Sequence, residues 1–318
     1  MTQQQRVGPL VEGAFLALIT AIMGTLAIYF LPVKFLVDFI WGIPIIIIIK
    51  RYNLRIGILT LATTFFITWM FTEPVTTFLL VLELAPLALA YGLLFKYEIP
   101  PGTVLLTGAA VSVLSTMLTV LGFIYIANIN VIPTEQALRM QAQQSVALYT
   151  NMGLVNAGDS KTLIDTTAKL MIAFIPSILA IASVIRAFFS YVLAVKVLRR
   201  LNYKVPDFPP FSEWALPWYS IWLIITGLGL SVFGDQYKIG IMATAAKNML
   251  FIVSPLFFLI GFSVVTHFFK TWRIPKWTKV LLGIAAVINL GGSLVLFTLI
   301  GMFDPVFSFR KWKRLTDS

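Results

Sequence analysis

The sequence predicts an all-α fold, a polytopic transmembrane helical bundle that crosses a bilayer eight or nine times. Three observations carry this. Hydrophobic residues are 59% of the chain and charged residues 12%, with a mean hydropathy of +0.91. Soluble domains are about 45–50% apolar and about 25% charged, so too few charges remain here to build a water-facing surface. Apolar runs near the ~20 residues that span a hydrocarbon core recur from one end to the other. Basic residues, finally, alternate between dense and sparse loops, as membrane topology requires.

Nine segments follow, at about 10–31, 36–49, 56–72, 75–95, 103–128, 169–197, 215–234, 241–268 and 279–303. The first is too long for a signal-peptide core and has no strong small-residue cleavage site after it, so it is read as a span. The second covers only ~21 Å as a helix, and Pro44 or a locally thinner membrane has to help it. Its Ile45–Ile49 run looks like a buried strand, but a lone strand in lipid leaves its backbone unpaired, so helix is expected. Trp69, Trp214, Trp218, Trp272 and Trp277 fall near segment ends, where amphipathic rings favour headgroup depth.

With the N-terminus in the cytoplasm, thirteen basic residues fall on inside loops and five on outside loops. The C-terminus spoils the pattern. Arg310, Lys311, Lys313 and Arg314 would lie outside after nine full crossings. Asn289, Gly291 and Gly292 interrupt the last segment, so either a broken or re-entrant final segment leaves the tail inside, or the tail is external. We favour the first.

Three parts are expected along the chain. Residues 1–197 hold six segments and an external amphipathic cap at about 129–168. In the cap, Pro133 opens a helix carrying Leu138, Ala142, Val146 and Tyr149 at helical spacing, Gly153 stops it, and Asp159 or Ser160 caps a second helix leading into segment six. A plain tether is the alternative. Residues 198–216 form a basic, Pro-rich inner connection in which Pro206, Pro209 and Pro210 prevent regular helix. Residues 217–318 hold three further segments and a basic tail.

Several function classes fall away. Without cysteine there are no disulfides, thiolate metal sites or cysteine nucleophiles. The single histidine, His267, cannot build a multi-histidine metal site, and neither metal nor cofactor is expected. The net charge of +11 fits cytoplasmic loops facing anionic headgroups in the cell membrane rather than nucleic acid. No glycine-rich phosphate loop, HExxH or paired-acid motif is present. Gly261-Phe262-Ser263 with His267 four residues on puts a hydroxyl and an imidazole on one helix face. That is the seed of an intramembrane hydrolase, although Ser263 bonding its own helix is the plainer expectation.

Charges inside spans are the most informative residues, because each costs about 2.5–3.5 kcal/mol or more at mid-bilayer. Glu83 is expected ~12 Å and Lys247 ~9 Å from the outer ends of their segments, with Asp38 nearby in depth. These three form a candidate ligand-binding vestibule, with a Glu83–Lys247 pair at its centre. The plainer alternatives are a snorkelling Lys247 and a protonated or hydrogen-bonded Glu83. Arg186, ~14 Å from the inner end of segment six, needs a partner. Glu12 is the expected one, in a structural clamp. Gly13, Ala17 and Ala21 recur every four residues, either for internal packing or as a docking face for a partner. Arg199, Arg200 and Lys204 are candidate cytoplasmic basic contacts.

Several stretches resemble the YybS-like family of uncharacterised Firmicute membrane proteins. They are Glu83-x-x-Pro86 before Lys96, Phe211-x-x-Trp214-x-x-Pro217-Trp218, Asn248, and Gly301-x-Phe303-Asp304 followed by Phe309-Arg310-Lys311. Pro305-Val306-Phe307-Ser308 departs from the pattern, where an acidic residue is expected. The six-helix part of that family is similar to the S components of energy-coupling-factor transporters. The resemblance implies a solute-binding membrane subunit docked through first-helix small residues onto a separate energising subunit. Membrane scaffold or regulator is the alternative function, and hydrolase the third.

Overall fold

A computed structural model of the chain describes residues 3–152, 160–272 and 274–310. Among the described residues all regular structure is helical: α1 Gln3–Tyr29, α2 Leu31–Ile40, α3 Ile43–Arg51, α4 Leu54–Phe71, α5 Pro74–Lys96, α6 Pro101–Tyr125, α7 Glu135–Asn151, α8 Ser160–Arg200, α9 Ile221–Gln236, α10 Gly240–Thr271, α11 Lys276–Ile288 and α12 Leu290–Phe307. Nine helical stretches among them are long and apolar enough to cross a membrane. The protein is a multi-pass helical membrane protein.

Local chemistry explains the boundaries. Proline stands in the first turn of α2, α3, α5 and α6, where its missing N–H costs nothing. Asn53 caps α4 by accepting from the Ile56 N–H at 3.0 Å. The short second segment is two helices, α2 and α3, broken at Trp41-Gly42. Trp41 is fully buried. Gly42 lies so close to α5 that a Cβ there would stand 2.8 Å from the Ala88 Cβ, so only glycine lets the break nest against its neighbour. The isoleucine run is helical, as lipid demands, with Ile45, Ile46, Ile48 and Ile49 buried.

The chain divides into two compact units, residues 1–138 with 179–208 and residues 139–178 with 209–318. The 41-residue α8 contributes to both. At about 62 Å it is twice the ~30 Å of a hydrocarbon core.

In the first unit α1 packs on α4 through small residues. Ala17 and Ala21 are buried, a Cβ on Gly13 would meet Thr60 Oγ1 at 2.8 Å, and the Thr64 hydroxyl donates to the Ala17 carbonyl at 3.3 Å. The proposed docking stripe is thus spent inside the chain. Its smallness serves the α1–α4 approach. One end of this unit is a basic collar. Arg51 Nη1 bonds Glu12 Oε1 at 2.5 Å, the Tyr52 hydroxyl donates to Glu12 Oε2 at 2.7 Å, and Lys50 donates to the Phe95 carbonyl at 2.7 Å. The Glu12 carboxylate, as acceptor of that hydrogen bond, raises Tyr52 above its ordinary phenol pKa.

In the second unit α10 packs on α9 and α12. A Cβ on Gly261 would fall 1.7 Å from the Phe297 carbonyl oxygen, and one on Gly301 would fall 1.9 Å from that of Phe257. The two backbones therefore touch, as small residues permit in membranes. The Asn248 amide donates to the Ala173 carbonyl at 2.8 Å, and its side-chain oxygen meets the Ser177 hydroxyl. In α7, Leu138, Ala142 and Val146 are buried as the periodicity predicted, while Tyr149 is exposed. Arg139 pairs with Asp165 of α8 at 2.9 Å. Gly153, Asp159 and residues 311–314 lie outside the described residues.

The last hydrophobic segment is two helices joined at Asn289, whose side chain accepts from the Gly292 N–H at 3.2 Å. Lys270, at the end of α10, donates to the Ser212 hydroxyl, and Arg310, just beyond α12, donates to the Ser212 and Trp214 carbonyls. Both helices therefore finish at the same end of the unit. The stretch from α11 to α12 leaves that end and returns to it, so Arg310 lies beside the 209–220 segment.

Candidate functional site

Within the first unit, α2, α5, α6 and α8 bring four charged side chains and three hydroxyls together. Arg186 on α8 is buried, with its side chain 8% exposed. Its Nη1 donates to Glu83 Oε1 of α5 at 2.5 Å, and its Nη2 donates to Ser112 Oγ at 3.0 Å and Thr116 Oγ1 at 2.8 Å, both on α6. Ser183, one turn before Arg186, donates to Thr116 Oγ1 at 2.8 Å or to its own helix at Leu179. The guanidinium is thereby saturated by one carboxylate and a hydroxyl cradle, which is what a desolvated cation needs.

Glu83 also faces Lys34 of α2, with Oε2 3.9 Å from Nζ, and Lys34 bonds Asp38 one turn on at 3.1 Å. Two cations and two carboxylates so form one chain, Asp38–Lys34–Glu83–Arg186, grading from a 40%-exposed Lys34 side chain inward. Beside it, between Asp38, Gly42, Ala88, Tyr91 and Ser190, lies a cavity of about 10 Å³, room for a single water. The arrangement can hold charge at membrane depth and exchange partners between the two carboxylates. As it stands it encloses no solute-sized space.

The sequence brought Asp38 and Glu83 to one depth, and the structure joins them through Lys34. Lys247 is not part of the network. It bonds Asp235 at 2.9 Å within the second unit, with both side chains about half exposed. The expected Glu83–Lys247 pair is replaced by Glu83–Arg186, because a buried guanidinium offers the carboxylate a stronger fixed partner than a flexible ammonium near the surface. Glu12 likewise serves Arg51 and Tyr52 and not Arg186. Lys34, Ser112, Thr116 and Ser183 escaped the sequence reading. Lys34 lies just before the second predicted segment at 36–49, where it reads as a loop cation, although its i,i+4 spacing to Asp38 is a visible signal. Of the proposed basic contacts, Arg199 bonds Asp207 at 2.6 Å, and Arg200 is exposed at the end of α8.

A second polar cluster closes the second unit. Arg310 donates to the Ser212 carbonyl at 3.2 Å, the Trp214 carbonyl at 2.5 Å and Ser263 Oγ at 3.1 Å, and lies 3.5 Å from Asp304 Oδ2. Burial draws the Arg310 pKa below its ordinary value, against the pull of Asp304. Ser263 Oγ stands 2.6 Å from the Phe211 carbonyl. The hydroxyl weighed as a nucleophile is thus tied to backbone and to Arg310, and its bonds run to the 209–220 segment rather than to its own helix. The motif residues Phe211, Trp214, Asp304 and Arg310, scattered in sequence, meet here.

The family described as "Predicted membrane protein (DUF2232)" matches residues 18–305, nearly the whole chain. The chain belongs to that family. The uncharacterised protein YybS of Bacillus subtilis (strain 168) is 26% identical over 310 residues, covering 95% of this chain and 97% of the relative. No solved structure matches. The DUF2232 match takes in Lys34, Asp38, Glu83, Arg186 and Asp304. Glu12, Gly13, Ala17 and Arg310 fall outside it.

Proposed function

We propose that this DUF2232 protein is a non-enzymatic, transport-related subunit of the cell membrane, with its N-terminus in the cytoplasm. It handles a small polar solute at the Asp38–Lys34–Glu83–Arg186 network and works with a separate energising subunit, since the sequence carries no phosphate-cradling loop. One observation supports this best. Helix clamping needs one buried pair, whereas this chain keeps a second, Lys34–Asp38, on the more open side of the first. Ionisable groups held at membrane depth are costly and mark solute or proton paths. The ~10 Å³ cavity makes the present form closed. Entry requires Lys34 to leave Glu83, and α2, a ten-residue helix broken from α3 at Trp41-Gly42, is the element able to carry it.

The test is thermal unfolding of the protein in lipid nanodiscs against fractionated metabolite pools. At least one pool is expected to raise the midpoint, and Lys34→Gln with Glu83→Gln should abolish that shift. If no pool stabilises the protein and no subunit co-purifies, the proposal fails. A scaffold function reverses the hierarchy: Arg199, Arg200 and Lys204 variants would then change growth while Glu83 and Lys34 variants would not.

A further inference from the structure

The last two turns of α8 carry a feature that the transport reading does not use. Val192, Val195, Lys196, Arg199 and Arg200 form an open, shallow surface along one face of the helix. The spacing i, i+3, i+4, i+7, i+8 makes these residues one stripe. The two valines come first and the three cations last, at the end of an apolar span that closes on Arg200. Lys196, Arg199 and Arg200 are exposed. Asp207 neutralises Arg199 at 2.6 Å. Among the described residues no carboxylate lies within ion-pair distance of Lys196 or Arg200.

We infer that this face binds an anionic phospholipid, its acyl chain on Val192 and Val195 and its phosphate between Lys196 and Arg200. The stripe repeats the order of the lipid itself, apolar below and anionic above, and its cations lie where a span meets the headgroups. A soluble anion would have no use for the valines. A zwitterionic lipid brings a quaternary ammonium next to its phosphate, and that cation repels Lys196 and Arg200 and cancels much of the attraction. Anionic headgroups attract each such cation strongly enough to change affinity about fivefold.

The full chain in detergent micelles, titrated with phosphatidylglycerol or phosphatidylcholine of matched acyl chains and read by native mass spectrometry, tests this. Phosphatidylglycerol should be retained selectively. The Lys196→Gln, Arg200→Gln double variant should weaken it about 30-fold and leave phosphatidylcholine unchanged, and Lys196→Arg, Arg200→Lys should keep it. Both substituted positions are exposed, and an unchanged unfolding midpoint in detergent confirms that each variant is folded. Equal retention of both lipids by the wild-type chain would overturn the proposal. So would an undiminished preference in the double variant, or displacement of the lipid by equimolar inorganic phosphate.

Discussion

Each unit of the chain sets an arginine beside a carboxylate, and the two pairs are built differently. In the first unit Glu83 and Arg186 lie within spans, and hydroxyls of Ser112 and Thr116 on a third helix complete the guanidinium's bonds. In the second, Asp304 is inside a span but Arg310 comes from beyond it, after Ser308 turns the chain at φ 47°. There the guanidinium is satisfied mostly by backbone carbonyls of the 209–220 segment. The first pair locks helices to one another at depth, and removing either partner strands a charge. The second fastens a loop and a chain end to a helix bundle, and water is near enough to take over some of its bonds.

That contrast sets the order of expected losses. Glu83→Gln or Arg186→Gln alone should lower the unfolding free energy by about 3–5 kcal/mol, the usual cost of leaving half of a buried pair. The lower end applies to Arg186→Gln, since the abandoned Glu83 side chain is 22% exposed and can recruit Lys34. The Glu83→Leu, Arg186→Met double variant should recover most of the loss. Equilibrium unfolding in mixed micelles measures all of these. A loss below about 1 kcal/mol for both single variants would mean that the pair is screened like a surface bridge, and the distinction between the units would collapse.

Arg310→Gln should cost less, about 2 kcal/mol, because charge-assisted hydrogen bonds are lost where solvent can partly replace them. Its signature is local. Protease cleavage within 209–220 should accelerate while the first unit stays resistant. Asp304→Asn added to Arg310→Gln should cost little more, since the carboxylate's partner has already gone. Equal acceleration of cleavage in both units would show that the pair supports the whole bundle and not this end of it.

The same contrast explains what could be read from sequence. The spans were legible because lipid enforces length and apolarity at each one. Asp38, Glu83 and Arg186 stood out because charge in an apolar run is costly and needs a partner. Their partners were hidden. Depth along a helix is a one-dimensional measure, and it cannot say which side of α5 faces α8, so depth alone pairs Glu83 with Lys247 and Arg186 with Glu12. Serine and threonine are cheap in membrane helices and gave no warning that Ser112 and Thr116 would cradle a guanidinium. Arg310 was hidden for another reason. In a basic tail it reads as a topology signal, and only the hydrogen bonds that bring the ends of α10 and α12 together disclose that it folds back. Ala17 and Ala21 went the other way: a small-residue stripe looks the same whether its partner helix is α4 or another protein.

Lys247 sharpens the comparison from its weak end. It shares with Arg186 a position inside an apolar helix and an acidic partner. Yet its side chain reaches Asp235 in the last turn of α9 at 2.9 Å, where a span meets the headgroups and water, so the attraction is screened and ordering two flexible side chains offsets much of it. Lys247→Gln should therefore change the unfolding free energy by no more than about 1 kcal/mol, and less as salt is raised. It should also leave any solute-dependent shift of the unfolding midpoint intact, because it touches none of Asp38, Lys34, Glu83 and Arg186. A cost approaching that of Arg186→Gln would require Lys247 to be desolvated in the membrane, and would restore it to the candidate site from which its half-exposed bridge now removes it.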